Sequence, residues 1–155
     1  MKMIFTVVLM VIAVGLLCGC SMTRKIEADA APVDFTEAQN YFVLNSLRLT
    51  HVKRLVIKSD EEFHEVLGES PVRGTNGEPT PIDFKKQFVL AVILPETNRS
   101  TQVYPLSVLQ RGDAVIFNYK VDRGEQRSYT ITPFTAVVLD RPAVASQLEF
   151  YFNEK

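Results

Sequence analysis

The stretch Phe88-Val89-Leu90-Ala91-Val92-Ile93-Leu94 decides the fold. An unbroken apolar run of strand length has no face to give to water, so it reads as a central strand covered on both sides. Its neighbours carry the complementary pattern. From Ala114 to Val121 the chain alternates, with Val115, Phe117, Tyr119 and Val121 on one face and Ala114, Ile116, Asn118 and Lys120 on the other. Leu148, Phe150 and Phe152 alternate with Gln147, Glu149 and Tyr151, which marks a half-buried last strand. Tyr41 to Leu49 and Val52 to Ile57 are further β-rich segments. Pro105, within Thr101 to Val108, places that strand at an edge or at a bulge, because proline has no N–H for the ladder.

Turn signals fall at Arg111-Gly112-Asp113, Arg123-Gly124-Glu125, Thr132-Pro133 and Arg141-Pro142. Such short spacings predict antiparallel neighbours joined by tight turns. One helix is expected. Ser59 is a good N-cap with Glu62 three residues on, the acidic first turn suits the helix dipole, and Phe63, Val66 and Leu67 form an apolar stripe that Gly68 closes. The pattern is that of an α+β domain. A mainly antiparallel sheet of about seven or eight strands, curled or sandwich-like, carries one short capped helix.

Outward from this domain, the N-terminus reads as a targeting segment. Residues 1–19 contain 15 apolar residues and one charge, Lys2. The apolar run from Met3 to Cys18 is short for a bilayer span of about 20 residues and suits a signal-peptide core. Leu17-Cys18-Gly19-Cys20-Ser21 resembles the bacterial lipobox, in which the +1 thiol receives diacylglycerol and cleavage falls before it. Cys18 has the large Leu17 before it, so Cys20 is the expected lipidation site. The organisation expected is a signal peptide over 1–19, lipidated Cys20 and a tether over 20–39, and one α+β domain over 40–155. The eighteen residues from Ser21 to Ala38 include Pro32 and several charges, with one helical turn allowed at Asp34. As a tether they reach at most about 60 Å and average about 23 Å as a flexible coil. Ser21 after the lipidated position resembles the outer-membrane sorting signal of lipoproteins, so the expected location is the cell envelope, on an outer membrane and facing the periplasm.

The remaining 136 residues carry 16 basic and 18 acidic side chains and no cysteine outside Cys20. A nucleic-acid partner is not expected, since no excess of cations exists to replace phosphate counterions. The expected membrane partner is reached through acylated Cys20. With no thiol left after lipidation, the folded part has no disulfide and no cysteine nucleophile. The only histidines, His51 and His64, lie apart in sequence. His64 with Asp60 or Glu61 offers too few ligands for a metal site and reads as a solvated helix face. No serine stands in a Gly-x-Ser-x-Gly context, and no tryptophan is present to stack a sugar. No catalytic residue, metal or cofactor is expected.

The segment from Gly68 to Pro81 carries three glycines and three prolines and is too long to be a plain connector, which points to a binding loop. Its Arg73, Asn76 and Glu78, together with Tyr104 on the proline-bearing strand, are the candidate partner-binding residues.

Taken in order, Phe63 to Leu67, Pro81-Ile82-Asp83-Phe84, the strand from Phe88, Thr101-x-x-Tyr104 and Pro133-Phe134 with its following apolar strand resemble the C-terminal domain of PrcB. That family comprises lipoprotein subunits of a spirochaete surface protease complex, and related small lipoproteins of Bacteroides-type bacteria share the layout. The resemblance covers roughly residues 52–152. The family carries Thr-Gly-Gly-Tyr where this chain has Thr101-Gln102-Val103-Tyr104. It implies a non-enzymatic accessory or binding domain, with an envelope protein as partner, possible proteases included. The expected function is a membrane-anchored protein-binding module that assists or restrains an envelope protease. A small-ligand or carbohydrate-binding lipoprotein is the second reading.

Replacing Cys20 by alanine should abolish both palmitate incorporation in vivo and cleavage before residue 20. Undiminished radiolabelling of that variant would remove the lipidation assignment.

Overall fold

The computed structural model describes residues 27–74, 76–142 and 147–155. The expected signal peptide over 1–19 and the expected lipidation site Cys20 lie outside the described residues. Among the described residues, ten strands and one helix follow one another as β1 (Ala31–Val33), β2 (Thr36–Glu37), β3 (Tyr41–Val43), β4 (Lys53–Ile57), α1 (Asp60–His64), β5 (Leu67–Glu69), β6 (Gln87–Ile93), β7 (Thr97–Arg111), β8 (Ala114–Ile131), β9 (Phe134–Asp140) and β10 (Glu149–Glu154). The strands form two four-stranded sheets, ordered β1-β7-β8-β10 and β2-β9-β6-β4, and a two-stranded ribbon of β3 and β5. The domain is mainly antiparallel β with one short helix, the α+β class that the sequence pattern predicts.

The apolar run on β6 sits where its composition requires. Phe88, Leu90, Val92 and Leu94 face the first sheet, packing with Val103, Val108, Val115, Phe117 and Tyr119. Val89, Ala91 and Ile93 face the opposite way, against Phe63, Val66 and Leu67 of the helix and ribbon layer. The molecule therefore has three layers with β6 in the middle. Burying a Val, Leu or Ile contributes about 1.5–3 kcal/mol, so this strand joins two cores that each need it. Tyr119 is fully buried, and its hydroxyl accepts a 3.0 Å bond from the Arg54 guanidinium, which links β8 to the edge strand β4.

Several local expectations change. Residues 31–37, assigned to the tether by their polarity, include two strands: β1 pairs with β7 and β2 with β9. No helical turn forms at Asp34, because Val33 and Phe35 are drawn into the inter-sheet core. The strand expected over Tyr41 to Leu49 stops at Val43. Gly68 does not close the helix. It lies in β5 opposite Phe42, whose ring would stand 2.7 Å from a Cβ at that position. The glycine there makes room for a ring.

β7 and β8 form a long hairpin around Gly112, which has φ +57°. Pro105 sits at a bulge, since β7 uses two residue steps from Pro105 to Ser107 while β8 uses one from Tyr119 to Asn118. The turn expected at Arg123-Gly124-Glu125 is absent. β8 runs straight through it with another register shift, and a Cβ on Gly124 would lie 3.0 Å from the Ser100 carbonyl oxygen. β10 departs from the antiparallel expectation, pairing parallel with β8 from Glu149↔Ala114 to Glu154↔Tyr119. A parallel pair needs a return path, and β9 in the other sheet supplies it.

Helix α1 is capped as its sequence predicts. The Ser59 hydroxyl accepts from the Glu62 amide at 3.2 Å, while the Glu62 carboxylate reaches back to the Lys58 amide at 2.7 Å. Ser59→Ala should lower stability by about 1 kcal/mol, because an amide at the helix start loses its acceptor. Chemical denaturation is the check; an unchanged midpoint would show that the cap adds nothing.

Candidate functional site

The third layer opens into a groove of about 400 Å³. Its floor is aromatic. Tyr41 on β3 meets Phe63 of α1 edge-on at 5.0 Å between ring centroids, and Phe63 meets Phe84 at 5.7 Å. Phe63 is fully buried by this contact and by the core behind it, whereas Tyr41 and Phe84 keep part of their surface towards the groove. Asp60, Glu69 and Glu78 stand around the opening with His64, and Pro79, Pro81 and Ile82 form one wall. Among the described residues, the lining includes no lysine or arginine.

Two sets of bonds hold the walls. Asn40 adopts φ 63°, a conformation open to Asn at modest cost, and so aims its side chain across the long loop. Its Nδ2 donates to the carbonyls of Asn76 at 2.9 Å and Glu78 at 2.8 Å, while its own carbonyl accepts from the Ser70 amide. Thr80 is tied on several sides. Its Oγ1 accepts from the Gln39 amide and donates to the Glu37 carbonyl, and its carbonyl accepts 2.7 Å from the Tyr41 hydroxyl. Within the loop, the Val72 amide donates to the Gly77 carbonyl at 2.9 Å. Gly77 is obligatory there, since any Cβ would fall 1.8 Å from the Val72 carbonyl oxygen. On the other side, the Arg141 guanidinium donates to the carbonyls of Phe84, Gln87 and Lys58. That staple fixes the segment carrying Phe84 against the end of β9.

The electrostatics follow from the rim. Asp60 is engaged by His64, with Nδ1 at 3.4 Å from Oδ1 and at 3.0 Å from the Asp60 carbonyl oxygen. Burial raises the Tyr41 hydroxyl above its usual pKa, and the carboxylates of Glu69 and then Asp60 add to the rise. The phenol thus stays protonated, as its bond to the Thr80 carbonyl requires.

Of the four residues proposed from sequence, Glu78 lies on the groove. Arg73 and Asn76 are exposed on the loop above it, Asn76 also at φ 63°. Tyr104 is elsewhere. It sits on β7 opposite Lys120, on the side away from inward-facing Val103 and Val121, and its hydroxyl bonds to the Gln102 side chain. The structure does not bring it together with the loop. Sequence inspection missed Tyr41, Glu69 and Phe84, and it gave the helix only a packing role, whereas Asp60 and His64 line the groove. Pro79 and Pro81 flanking the entry to Phe84 were the available signal.

A second depression of about 350 Å³ lies between residues 44–50 and the β6–β7 connection, spanned by a 3.5 Å ion pair from Arg48 to Glu96. Among the described residues, no group of three or more His, Cys, Asp and Glu side chains could hold a metal ion, and no helix is long and apolar enough to cross a membrane. Comparison of the chain with protein-family models, curated proteins and solved structures finds no match.

Asn40→Gly keeps the backbone conformation but removes both side-chain bonds. Trypsin should then cut after Arg73 faster than in the parent protein, with stability lowered by about 1 kcal/mol. Asn40→Ala should cost about 1–2 kcal/mol more, because alanine pays for the left-handed backbone. Equal stabilities of the two variants, with unchanged cleavage, would mean that Asn40 does not hold the loop.

Proposed function

We propose that this chain is a membrane-anchored, non-enzymatic protein-binding module, held to the envelope by lipidated Cys20, that assists or restrains an envelope protease. One observation carries the binding reading: the segment from Ser70 to Pro81 is long, exposed and yet fastened. Its backbone is bonded to Asn40, Gln39 and Tyr41, while Val72 is 58% exposed with Arg73 beside it. A loop ordered before contact loses little conformational entropy on docking, and long loops on rigid scaffolds are where recognition concentrates. The adjoining groove has an apolar floor, which adds area to bury.

The protease partner rests on the resemblance to the PrcB C-terminal domain. Four of its segments frame the observed layers: Phe63 to Leu67 packs behind the groove, Pro81 to Phe84 forms its wall, and β6 and β9 make the middle sheet.

The test is affinity capture from native envelopes with the full-length chain. Val72→Ser combined with Arg73→Ala alters only exposed side chains, so folding should be unchanged. Recovery of the partner should fall at least fivefold. Full recovery by the folded variant would move the interface away from this loop, with the exposed strand at Tyr104 as the next surface to alter.

A further inference from the structure

The groove beneath the loop combines three features that select one chemistry. It is concave and about 400 Å³ in volume, its floor is the aromatic cluster of Tyr41, Phe63 and Phe84, and its rim carries Asp60, Glu69 and Glu78 with no lysine or arginine among the lining residues. Five acidic groups elsewhere stand beside a cation: Asp29 by Arg111, Asp83 by Lys86, Glu96 by Arg48, Glu154 by Arg123 and Glu27 by Lys155. Asp60 faces only a histidine, and Glu69 and Glu78 have no ion pair or side-chain hydrogen bond among the described residues. The phenol of Tyr41 feels the same field, since Glu69 and Asp60 help to raise it.

We infer that this groove receives a lysine or arginine side chain from a basic segment of the partner protein. The inference rests on the protein-binding reading and adds the partner's chemistry to it. A long cationic side chain suits the site: its methylene stem would cover apolar ring surface while its charged head stays at the wet, carboxylate-bearing rim. Partly exposed aromatic rings add attraction for a cation placed over them. An anionic segment would meet three carboxylates, and a neutral ligand would leave their field unanswered. The fastened walls fit this role, because Thr80 and Arg141 hold the ring-bearing segments in place before any ligand arrives.

The experiment uses the full lipidated chain in detergent micelles and three probes: a tetralysine amide, the same peptide with every lysine acetylated, and a tetraglutamate amide. Binding is followed by the backbone amide resonances of His64, Glu69 and Glu78. Tetralysine should shift these resonances, and its affinity should fall as salt is raised. The acetylated and acidic peptides should leave them in place. Glu69→Gln with Glu78→Gln, both exposed and isosteric, should weaken tetralysine about tenfold without moving the unfolding midpoint. Equal binding of the acetylated peptide, undiminished binding by the double variant, or shifts confined to another surface would each overturn the cation assignment. Those results would leave envelope capture through Val72 and Arg73 untouched. Conversely, selective tetralysine binding by a chain that captures no envelope protein would support the groove's preference while removing the protein-binding reading.

Discussion

A strand with apolar side chains on both faces needs a layer on each side, and the chain is arranged to give β6 both. Phe88, Leu90 and Val92 require the long β7–β8 hairpin; Val89, Ala91 and Ile93 require α1 and the β3–β5 ribbon. The helix has only five residues and would not persist alone. It exists because Phe63 is buried behind β6 and because Ser59 and Glu62 close its first turn. The groove is a by-product of that packing. Phe63 anchors the rings of Tyr41 and Phe84, and their outer surfaces become its floor.

What the sequence made legible is what burial pattern and local chemistry control. The double coverage of β6, the alternation on β8, the cap at Ser59, the hairpin at Gly112 and the bulge at Pro105 each follow from one segment considered alone. The illegible features depend on what lies opposite. Gly68 and Gly124 look like turn or cap residues, yet each lies within a strand, where a Cβ would crowd the Phe42 ring or the Ser100 carbonyl oxygen. Residues 31–37 have tether-like polarity, but short edge strands need few apolar contacts once the ladder partner is in place. The parallel pairing of β10 is decided by β9 crossing between sheets, which no local spacing records. The groove was hardest to see, because its residues come from β3, α1, β5 and two stretches of loop.

Asn40 shows how a single side chain converts a long connection into a surface. Without its side-chain bonds, the segment from Ser70 to Pro81 would be tied to the body only near its ends, with the Val72–Gly77 bond closing its tip on itself. With them, the backbone carbonyls of Asn76 and Glu78 are fixed relative to β3, and Glu78 stands beside the same groove as Glu69. Polar satisfaction and shape are here one feature. The carbonyls that stabilise the corner are also those that set where the rim charge lies.

The early strands carry a mechanical consequence. β1 joins one sheet and β2 the other, while Asp29 pairs with Arg111 and Glu27 with Lys155. For a chain held at Cys20, only seven residue steps separate the anchor from Glu27, a span of at most about 25 Å. On the proposed anchoring, the body would ride close to the bilayer. A pull from the N-terminal side would load the Glu27–Lys155 and Asp29–Arg111 pairs and the three-residue ladder of β1 first, then the two-residue ladder of β2, and only then the long hairpin. On that anchoring, peeling β1 and β2 would lengthen the leash by about 35 Å, so the same residues would serve as a mechanical fuse and as a reserve of reach.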